Sequence, residues 1–590
     1  MTARLDGLPP NQRSVLRFAA VIGPSFRLGA LGSVLAGRLD ASALANVLGQ
    51  LSAAGFLLPG ERETFAFSHA LTRDVAYEGL PYAQRRQLHS RAGAHIEAEH
   101  ADQLEAVSGL LLHHYEQARD LRKTVVYAAM SGDRAAAVFA GDEAIDYYRR
   151  ALSALDALGI GGNTDRSLLH ERIGDCLETS GHHREAAPAF VRALEEWRER
   201  PGRRPHVVPW TIERRGARET VICRKIAVSH ERASDYDQAL SWLDRALAAL
   251  PNRASRIAAQ VSASRSVALF RKGLYAEGIA WGRRALDLAR QGGDSRDIAY
   301  AHNMLANSHM EQGALRRAIR HLRAAVRLYH ELQDVPGQAA ANNNLGTCYQ
   351  ELGTLDAARY HYELALRSYT WAGDEADAAI ARNNLGEVLL AQGSLDEAES
   401  HLREVVRGHD PAGESAALTG LARVNLCRIE LRRSRTDAAE AHLRRGMRTL
   451  RRSGALGLLT EARLELASLR LAQGRLAAAL RVARSAYRES KRLERKLLES
   501  RALRLLGQVQ AARGEPHKAQ QLLRESVVLA RRIDAGHEEA LSLLALGRLL
   551  LPKSRAAARR DLQQATAILS RMNAEPDLAE ASRLISQSAR

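Results

Sequence analysis

The stretch Asn342-Asn-Asn-Leu-Gly-Thr-Cys-Tyr-Gln-Glu-Leu-Gly-Thr-Leu-Asp-Ala-Ala358 decides the fold, because it recurs farther along the chain. The second copy is Asn383-Asn-Leu-Gly-Glu-Val-Leu-Leu-Ala-Gln-Gly-Ser-Leu-Asp-Glu-Ala398, in which Gly393 lies 40 residues after Gly353. Further copies of this glycine follow at nearly the same step, at Gly273, Gly313, Gly474 and Gly514. Self-similarity at a fixed period of this size indicates a repeat solenoid instead of one compact core.

The bulk composition of the 590 residues favours a helical protein. Hydrophobic residues make up 46% and charged residues 26%, a balance typical of a soluble, folded chain. Aromatic residues make up only 5%, which is low for a β-sandwich or barrel core, whereas the helix formers Ala, Leu and Arg are abundant. No apolar run approaches the roughly 20 residues of a bilayer span, and the N-terminus lacks a secretory signal pattern. We therefore expect a cytoplasmic location and no membrane partner.

The net charge of +17 is consistent with binding to nucleic acid but does not require it. The 85 basic residues comprise seven Lys and 78 Arg, and they are spread through nearly every predicted helix. A diffuse distribution indicates solvated helix faces more than one phosphate-binding stripe, so nucleic acid is the less favoured partner. Metal and disulfide frameworks are not expected, because no CxxC pair occurs among the four scattered cysteines, Cys176, Cys223, Cys348 and Cys427.

Residues 1–85 predict a small domain of three helices and a hairpin. The first helix enters through prolines and stops at Gly23, a second follows near Leu28–Leu39, and a third runs from about Ala41 to Ala54. The segment Phe56–Phe67 then alternates around Pro59-Gly60, which is a hairpin signal. Three helices and a two-stranded wing make a winged-helix-like α+β module. Its third helix offers few cationic side chains, which argues against DNA reading.

Three segments of this region, Ala3–Pro10, Ala19–Gly23 and Phe67-Ser-His-Ala-Leu-Thr-Arg-Asp-Val-Ala-Tyr77, resemble a region of STAND-type signalling ATPases. In bacterial members, many of them fused to nucleotide-cyclase or kinase domains, that region follows the AAA-like ATPase core. The resemblance covers roughly residues 1–155. The last segment is also similar to the Met-His-Asp motif of related switch ATPases, which implies that His69 would contact the β-phosphate of bound ADP. The motif's Asp is Ala70 here, so the match is partial.

Nucleotide binding by this chain alone is not expected. No GxxxxGK[ST] loop occurs in the sequence, and the chain opens inside the family pattern, as though the ATPase part had been cut off or lost. His69 would therefore serve a nucleotide only with a partner ATPase domain, and we assign no cofactor to the chain itself. The alternative for His69 is a histidine packed under the wing and hydrogen-bonded to a neighbouring loop.

The remaining chain divides by its repeat pattern. Residues 86–160 are expected to form a helical connector and a first repeat, and residues 161–199 a further repeat unit. Residues 200–214 are rich in Pro and Gly and predict a loop, because prolines cannot continue a helix. Residues 215–575 form the main array, and 576–590 a C-terminal capping helix. The adjacent pairs His113-His114 and His182-His183 diverge by about 100° on a helix, so we expect packing or solvated histidines and no metal site.

Each unit has a small residue in its first helix, a turn residue seven positions later, and alanines five and twelve positions after the turn. In the best copy these are Gly346, Gly353, Ala358 and Ala365. The pattern resembles the tetratricopeptide repeat in its longer form. The predicted turn positions are Gly181, Ser234, Gly273, Gly313, Gly353, Gly393, Ser434, Gly474, Gly514 and a degenerate one near Ser554. We therefore predict a mainly α fold: a tetratricopeptide-repeat superhelical solenoid with local contacts only, preceded by the small winged-helix-like α+β module.

Asparagines mark a candidate binding groove on the concave face. One register position holds Asn303, Asn343 and Asn383, and the next holds Asn344, Asn384 and Asn425. The resemblance to peptide-binding tetratricopeptide proteins implies that the second set holds a ligand backbone, since an amide supplies both a donor and an acceptor. The expected flanking contacts are Asn307, Thr347, Gln350 and Glu387. The alternative is that Asn-Asn-Leu-Gly is ordinary for long-form repeats and satisfies neighbouring helix ends.

Three functional hypotheses follow. The favoured one is a non-enzymatic sensor or scaffold that binds a peptide or protein in the groove and regulates a signalling ATPase or similar effector. The second is a regulatory subunit that acts on an ATPase or cyclase partner through the winged-helix-like module. The third is a transcriptional regulator. No Ser/His/Asp or paired-carboxylate arrangement stands out, so we expect no enzymatic activity.

Overall fold

The computed structural model describes residues 2–35, 38–159, 163–199, 207–210, 217–250, 252, 255–408, 416–453, 455–493 and 495–589. Within these ranges lie thirty helices and three short strands, which confirms the predicted mainly α class. The chain divides into two compact units, Met1–Arg253 and Ala254–Arg590.

The first unit begins with a small α+β module. Its helices are α1 (Thr2–Asp6), α2 (Pro10–Ile22), α3 (Leu28–Leu35) and α4 (Ala41–Ala53), and its strands are β1 (Ser25–Arg27), β2 (Leu57–Pro59) and β3 (Thr64–Phe67). The sheet order is β1-β3-β2, with both pairings antiparallel. The predicted hairpin is therefore present. β1, at only three residues, is too short to show a period, and the sequence analysis missed it.

Helix α4 begins directly after its N-cap residue, Asp40. The carboxylate of Asp40 accepts a hydrogen bond from the backbone N–H of Ala43 at 2.8 Å, which satisfies one of the free donors at the helix start. Leu44, Leu48 and Leu51 then lie on one face of α4 and are buried against the rest of the module. Helical spacing of apolar residues thus accounts for this core.

Nine further helices lie in the described part of the first unit. They are α5 (Ala70–Glu78), α6 (Tyr82–Glu99), α7 (Ser108–Ala118), α8 (Leu121–Ala137), α9 (Gly141–Leu158), α10 (Asn163–Thr179), α11 (His183–Glu199), α12 (Arg218–Arg232) and α13 (Tyr236–Ala248). The predicted loop at 200–214 lies outside the described residues except for 207–210. There the indole Nε1 of Trp210 donates to Asp133 at 2.6 Å, and its ring packs edge-on against Tyr148.

The second unit consists of helices α14 to α30. They are α14 (Arg256–Arg271), α15 (Tyr275–Gly292), α16 (Ser295–Glu311), α17 (Leu315–Glu331), α18 (Val335–Glu351), α19 (Leu355–Ala372), α20 (Glu375–Gln392), α21 (Leu395–Arg407), α22 (Ala416–Arg432), α23 (Thr436–Arg452), α24 (Leu456–Ala472), α25 (Leu476–Arg492), α26 (Lys496–Ala512), α27 (Pro516–Arg532), α28 (Gly536–Leu550), α29 (Arg555–Arg571) and α30 (Glu575–Ala589). Even-numbered helices from α14 to α28 are the first helices of their pairs.

Backbone conformation confirms the turn positions within the pairs. All the predicted turn residues from Gly181 to Gly514 have positive φ, including the two serines, Ser234 at 64° and Ser434 at 59°. Glycine adopts this region without steric cost, which explains its recurrence. Ser554 differs, with a φ of −150°, because its side chain accepts from the N–H of Ala557 and caps α29.

The small residue of each first helix allows close helix packing. A Cβ added to Gly346 would lie 2.6 Å from the ring of Tyr362, a buried residue of α19. At Gly386 an added Cβ would lie 2.8 Å from Leu402 of α21, and at Gly547 it would lie 2.5 Å from Leu562 of α29. Glycine at these positions is therefore a packing requirement.

The expectation of local contacts only is wrong for the end of the second unit. Leu389 of α20 and Leu426 of α22 share one core with Leu543 of α28 and Leu584 of α30. The first turn of α30 packs on the turn between α20 and α21, since a Cβ on Gly393 would lie 2.6 Å from Pro576. The last helix is therefore joined to the middle of the array as well as to its neighbour α29.

Candidate functional site

The two asparagine positions form hydrogen-bonded pairs between neighbouring first helices. In each pair, the amide nitrogen of the second position donates to the amide oxygen of the first position on the preceding first helix. The pairs are Asn344 to Asn303 at 3.2 Å, Asn384 to Asn343 at 3.1 Å and Asn425 to Asn383 at 3.1 Å. Asn344 also donates to Asn307 at 3.0 Å. We call these seven residues the asparagine ladder; it crosses α16, α18, α20 and α22.

Burial divides the ladder into two groups. Asn303, Asn383 and Asn425 are 7%, 1% and 0% exposed, so they cannot touch a ligand unless they move. The other four are half-buried and form part of the surface of the first helices: Asn307, Asn343, Asn344 and Asn384. Asn344 joins the buried Asn303, whereas the half-buried Asn343 and Asn384 pair with each other. Each amide pair fixes the orientation of both side chains.

The predicted flanking residues are also tied into this network. Gln350 donates to the carboxylate of Glu387 at 3.3 Å. The hydroxyl of Tyr362, from the second helix α19, donates to the amide oxygen of Gln350 at 2.9 Å and lies 3.1 Å from the hydroxyl of Thr347. Asn425 donates to Glu387 at 2.8 Å. The structure thus brings Thr347, Gln350 and Glu387 together with the ladder, as half-buried side chains.

A charged network that the repeat pattern does not predict continues the ladder. The guanidinium of Arg428 on α22 donates to Asn425 at 2.8 Å, to Glu461 at 2.6 Å and to Glu465 at 2.8 Å. Arg501 on α26 reaches Glu461 at 3.1 Å. The charges of this network have opposite signs on first helices about 40 residues apart, so they leave no periodic pattern in the sequence.

The charges of this network are fixed by mutual pairing. Burial raises the pKa of Glu461, but the neighbouring Arg428 and Arg501 outweigh that effect and hold its pKa at about 2. The pKa of Arg428 is raised well above its usual range, because burial is opposed by Glu465, Glu461 and Glu387. The network therefore stays ionised at neutral pH, and its members satisfy one another.

His69 lies at the N-terminal end of α5, where it precedes the first helical residue. Its side chain is exposed, so the alternative of a histidine packed under the wing is wrong. Ser68 beside it fixes the backbone, since its hydroxyl donates to the carbonyl oxygen of Gly55 at 2.8 Å.

The paired histidine His114 is a packing residue. It is fully buried, and its Nδ1 lies 3.0 Å from the Nδ1 of His89, whose Nε2 contacts the hydroxyl of Tyr77 at 3.0 Å. Among the described residues, no group of three or more His, Cys, Asp or Glu side chains is arranged to hold a metal ion. The described helices also include none that combines the length and apolar character of a membrane span.

Comparisons with known proteins agree on the repeat type. Residues 329–492 match the MalT-like TPR region, and residues 224–293 match a tetratricopeptide repeat model. A search of curated proteins gave no match to the chain.

Solved structures with similar folds include a Signal Transduction ATPase with Numerous Domains protein with a tetratricopeptide repeat sensor from Pyrococcus horikoshii, at 12% identity and a TM-score of 0.44. That match covers 77% of this chain and 64% of the other, so this chain spans less than two thirds of its length. The apo quorum sensor NprR from B. thuringiensis matches at 12% identity and a TM-score of 0.45, over 60% and 97% of the two chains. A Rap protein complexed with competence and sporulation factor matches at 13% identity and a TM-score of 0.41, and the match covers 59% of this chain and 99% of the other. Residues 224–293 and 329–492 of the chain are thus tetratricopeptide repeats.

Proposed function

We propose that the chain is a non-enzymatic sensor or scaffold that binds an extended peptide, or an extended segment of a protein, along the first helices α16 to α22. The asparagine ladder is the observation that carries this proposal. An extended backbone offers alternating N–H and C=O groups, and side-chain amides can pair with both without reading the peptide sequence.

The half-buried amides keep hydrogen-bonding capacity for such a ligand. The ladder bond uses one N–H of Asn384 and the carbonyl oxygen of Asn343, which leaves further amide groups on both side chains. Asn344 uses its amide nitrogen for Asn303 and Asn307, so the ladder bonds of this residue do not use its amide oxygen. Amides that are already oriented lose little side-chain entropy on binding, so the ladder is a pre-organised site.

The charged network sets one end of the proposed site. Beyond Asn425, the surface is occupied by Arg428 with its partners Glu461 and Glu465. These charges are paired, so they attract a ligand less than free charges would. The proposed site therefore comprises the repeats from α16 to α22.

The experiment compares two double variants by calorimetry with a peptide selected from a displayed library. Asn343→Ala with Asn384→Ala removes two half-buried ladder amides and should weaken binding by about 10- to 100-fold, since each backbone bond contributes about 1 kcal/mol. Gln312→Ala with Gln521→Ala removes two exposed amides outside the ladder and serves as the control. Equal affinity of the two variants would refute the proposal.

We also propose that the N-terminal module is winged-helix-like and transmits binding to a signalling ATPase or similar effector. The exposure of His69 supports this second step, because a partner's bound nucleotide could reach it. The test is His69→Ala in a reconstituted pair with the effector. It should change the effector's ATPase or cyclase activity while peptide affinity stays the same. An unchanged effector activity would limit the proposal to peptide binding.

A further inference from the structure

A second candidate site lies among α15, α16 and α17. It is a pocket of about 600 Å³, within the range of about 300–1,000 Å³ that is typical of small-molecule sites. It shares α16 with the asparagine ladder but none of the ladder's residues. Its lining combines arginines, histidines, one acidic residue and two leucines. We call it the Arg–His pocket.

Four arginines give the pocket its charge. Arg283 and Arg290 project from α15, and Arg317 and Arg320 from α17. All four are exposed, and within the described part of the chain none has a carboxylate partner within 4.0 Å. Other arginines of the array, such as Arg428, are paired in this way. The single acid, Asp287, leaves a formal charge of +3 around the cavity, excluding the histidines.

Three histidines form the inner part of the pocket. His302 and His309 on α16 are 8% and 3% exposed, and the Nδ1 of His302 lies 2.8 Å from the Nδ1 of His321 on α17. The rings of His309 and His321 are stacked, with centroids 5.7 Å apart. Because one Nδ1 of the close pair must donate and the other must accept, at least one of these two imidazoles is neutral.

Among the polar atoms of the pocket, the Nδ1 of His309 bears most directly on a ligand. It is buried and has no hydrogen-bond partner among the residues that the structure describes. A buried polar atom without a hydrogen bond is unfavourable, and folded proteins leave few of them. Burial lowers the pKa of His309, and Arg283, Arg317 and Arg320 lower it further. The same arginines that disfavour a proton here would favour an anion.

We propose that the Arg–His pocket binds a small organic ligand that carries two or more phosphoryl groups. Guanidinium groups bind phosphate oxygens in pairs of parallel hydrogen bonds, and two arginines on each of two facing helices can serve more than one phosphoryl group. The volume exceeds the need of a single phosphate ion. Leu286 and Leu305 supply an apolar part of the wall for the organic moiety.

The test uses the full chain and pyrophosphate as the probe, with inorganic phosphate for comparison. Calorimetry should show pyrophosphate binding to one site, at least about tenfold more tightly than phosphate. Arg317→Gln with Arg320→Gln should weaken pyrophosphate binding by about tenfold or more, as expected for loss of two charge-assisted contacts. Because both side chains are exposed, this variant should fold normally.

The control is Arg316→Gln with Arg448→Gln. These exposed arginines do not line the pocket, and the double variant removes the same two positive charges. It should bind pyrophosphate within about twofold of the wild type. Two results would overturn the proposal: absence of heat at about 1 mM pyrophosphate with the wild type, or an equal loss in the two double variants, which would indicate general charge attraction alone.

Discussion

Asp577 in α30 forms an ion pair with Arg432 at the end of α22, with 2.9 Å between Oδ1 and Nη1, although 145 positions separate the two residues. Asp577 is only 4% exposed, and Nε2 of His537 lies 3.4 Å from its Oδ2. Burial raises the pKa of this carboxyl, but hydrogen bonds from His537 and Arg432 outweigh that effect and hold it at about 2. A fixed negative charge therefore joins the last helix to the middle of the array.

Replacing this charge should loosen α30. Asp577→Asn keeps the size of the side chain but leaves Arg432 without its carboxylate, and we expect the free energy of unfolding to fall by about 1–3 kcal/mol. Hydrogen exchange measured by mass spectrometry should rise in residues 575–589. The matched control is Asp396→Asn, which also loses an arginine partner, Arg433, but from a side chain that is 99% exposed. The control should change stability by less than about 1 kcal/mol.

Replacing serine by glycine at two of the turns should stabilise the protein. Ser234 and Ser434 are exposed and hold φ values of 64° and 59°, a region that disfavours residues with a Cβ. Ser234→Gly and Ser434→Gly should each raise the free energy of unfolding by about 0.5–1 kcal/mol. Ser554→Gly should instead lower it by a few tenths, roughly 0.3 kcal/mol, because Ser554 caps α29. Denaturant titration measures these changes in the free energy of unfolding, which should be positive for the first two substitutions and negative for the third. Stabilisation by all three substitutions would contradict this account.

The repeat turns and the asparagine registers could be predicted because each depends on local chemistry that recurs at a fixed period. Gly353 and Gly393 occupy the same backbone conformation, and Asn343 and Asn383 occupy the same place on their helices. The sequence did not predict that the asparagine amides of successive first helices hydrogen-bond to one another. The amides at the two asparagine positions that a ligand would contact are therefore already partly occupied by hydrogen bonds within the protein.

Two other features left no signal in the sequence, for different reasons. The contact between Arg432 and Asp577 joins residues that no repeat period relates, so it depends on how the helices of the second unit pack together. The network around Arg428 involves charges of opposite sign on different first helices, and charged residues are rarely expected to pack away from solvent. Long-range geometry and mutual neutralisation are properties of the folded array, not of any single repeat.

Close packing at the first helices gives a further test. Gly346→Ala would place a Cβ 2.6 Å from the ring of Tyr362, which is buried and held by hydrogen bonds to Thr347 and Gln350. The ring cannot move cheaply, so we expect the free energy of unfolding to fall by about 1–3 kcal/mol. Gly49→Ala is the control. Gly49 lies within α4 with open space around it, and alanine should stabilise that helix by about 0.5–1 kcal/mol. Thermal unfolding distinguishes the two, and destabilisation by both would refute the packing argument.

The buried pair His89 and His114 predicts a loss of stability in mild acid. Burial is the main cause that lowers the pKa of His89 to about 3 and of His114 to about 4, with nearby histidines adding to it. Both pKa values lie below the ordinary value of about 6.5, so the unfolded chain binds more protons than the folded chain between these limits. The contribution of the pair is therefore complete above about pH 6.5 and is lost as the pH falls below it.

The expected slope is up to about 1.4 kcal/mol per pH unit for each histidine between roughly pH 6.5 and 4. Thermal unfolding of the full chain at pH 7.5 and 5.5 measures this pH dependence of stability. The variant His114→Gln isolates the contribution of His114, because glutamine keeps a polar group but does not titrate. We expect the variant to lose less stability than the wild type between the two pH values. His330→Gln removes an exposed histidine and should keep the wild-type dependence. If His114→Gln also kept the full dependence, the acid sensitivity would have to come from other histidines, such as the buried His302 and the half-buried His321, whose pKa values burial lowers to about 4.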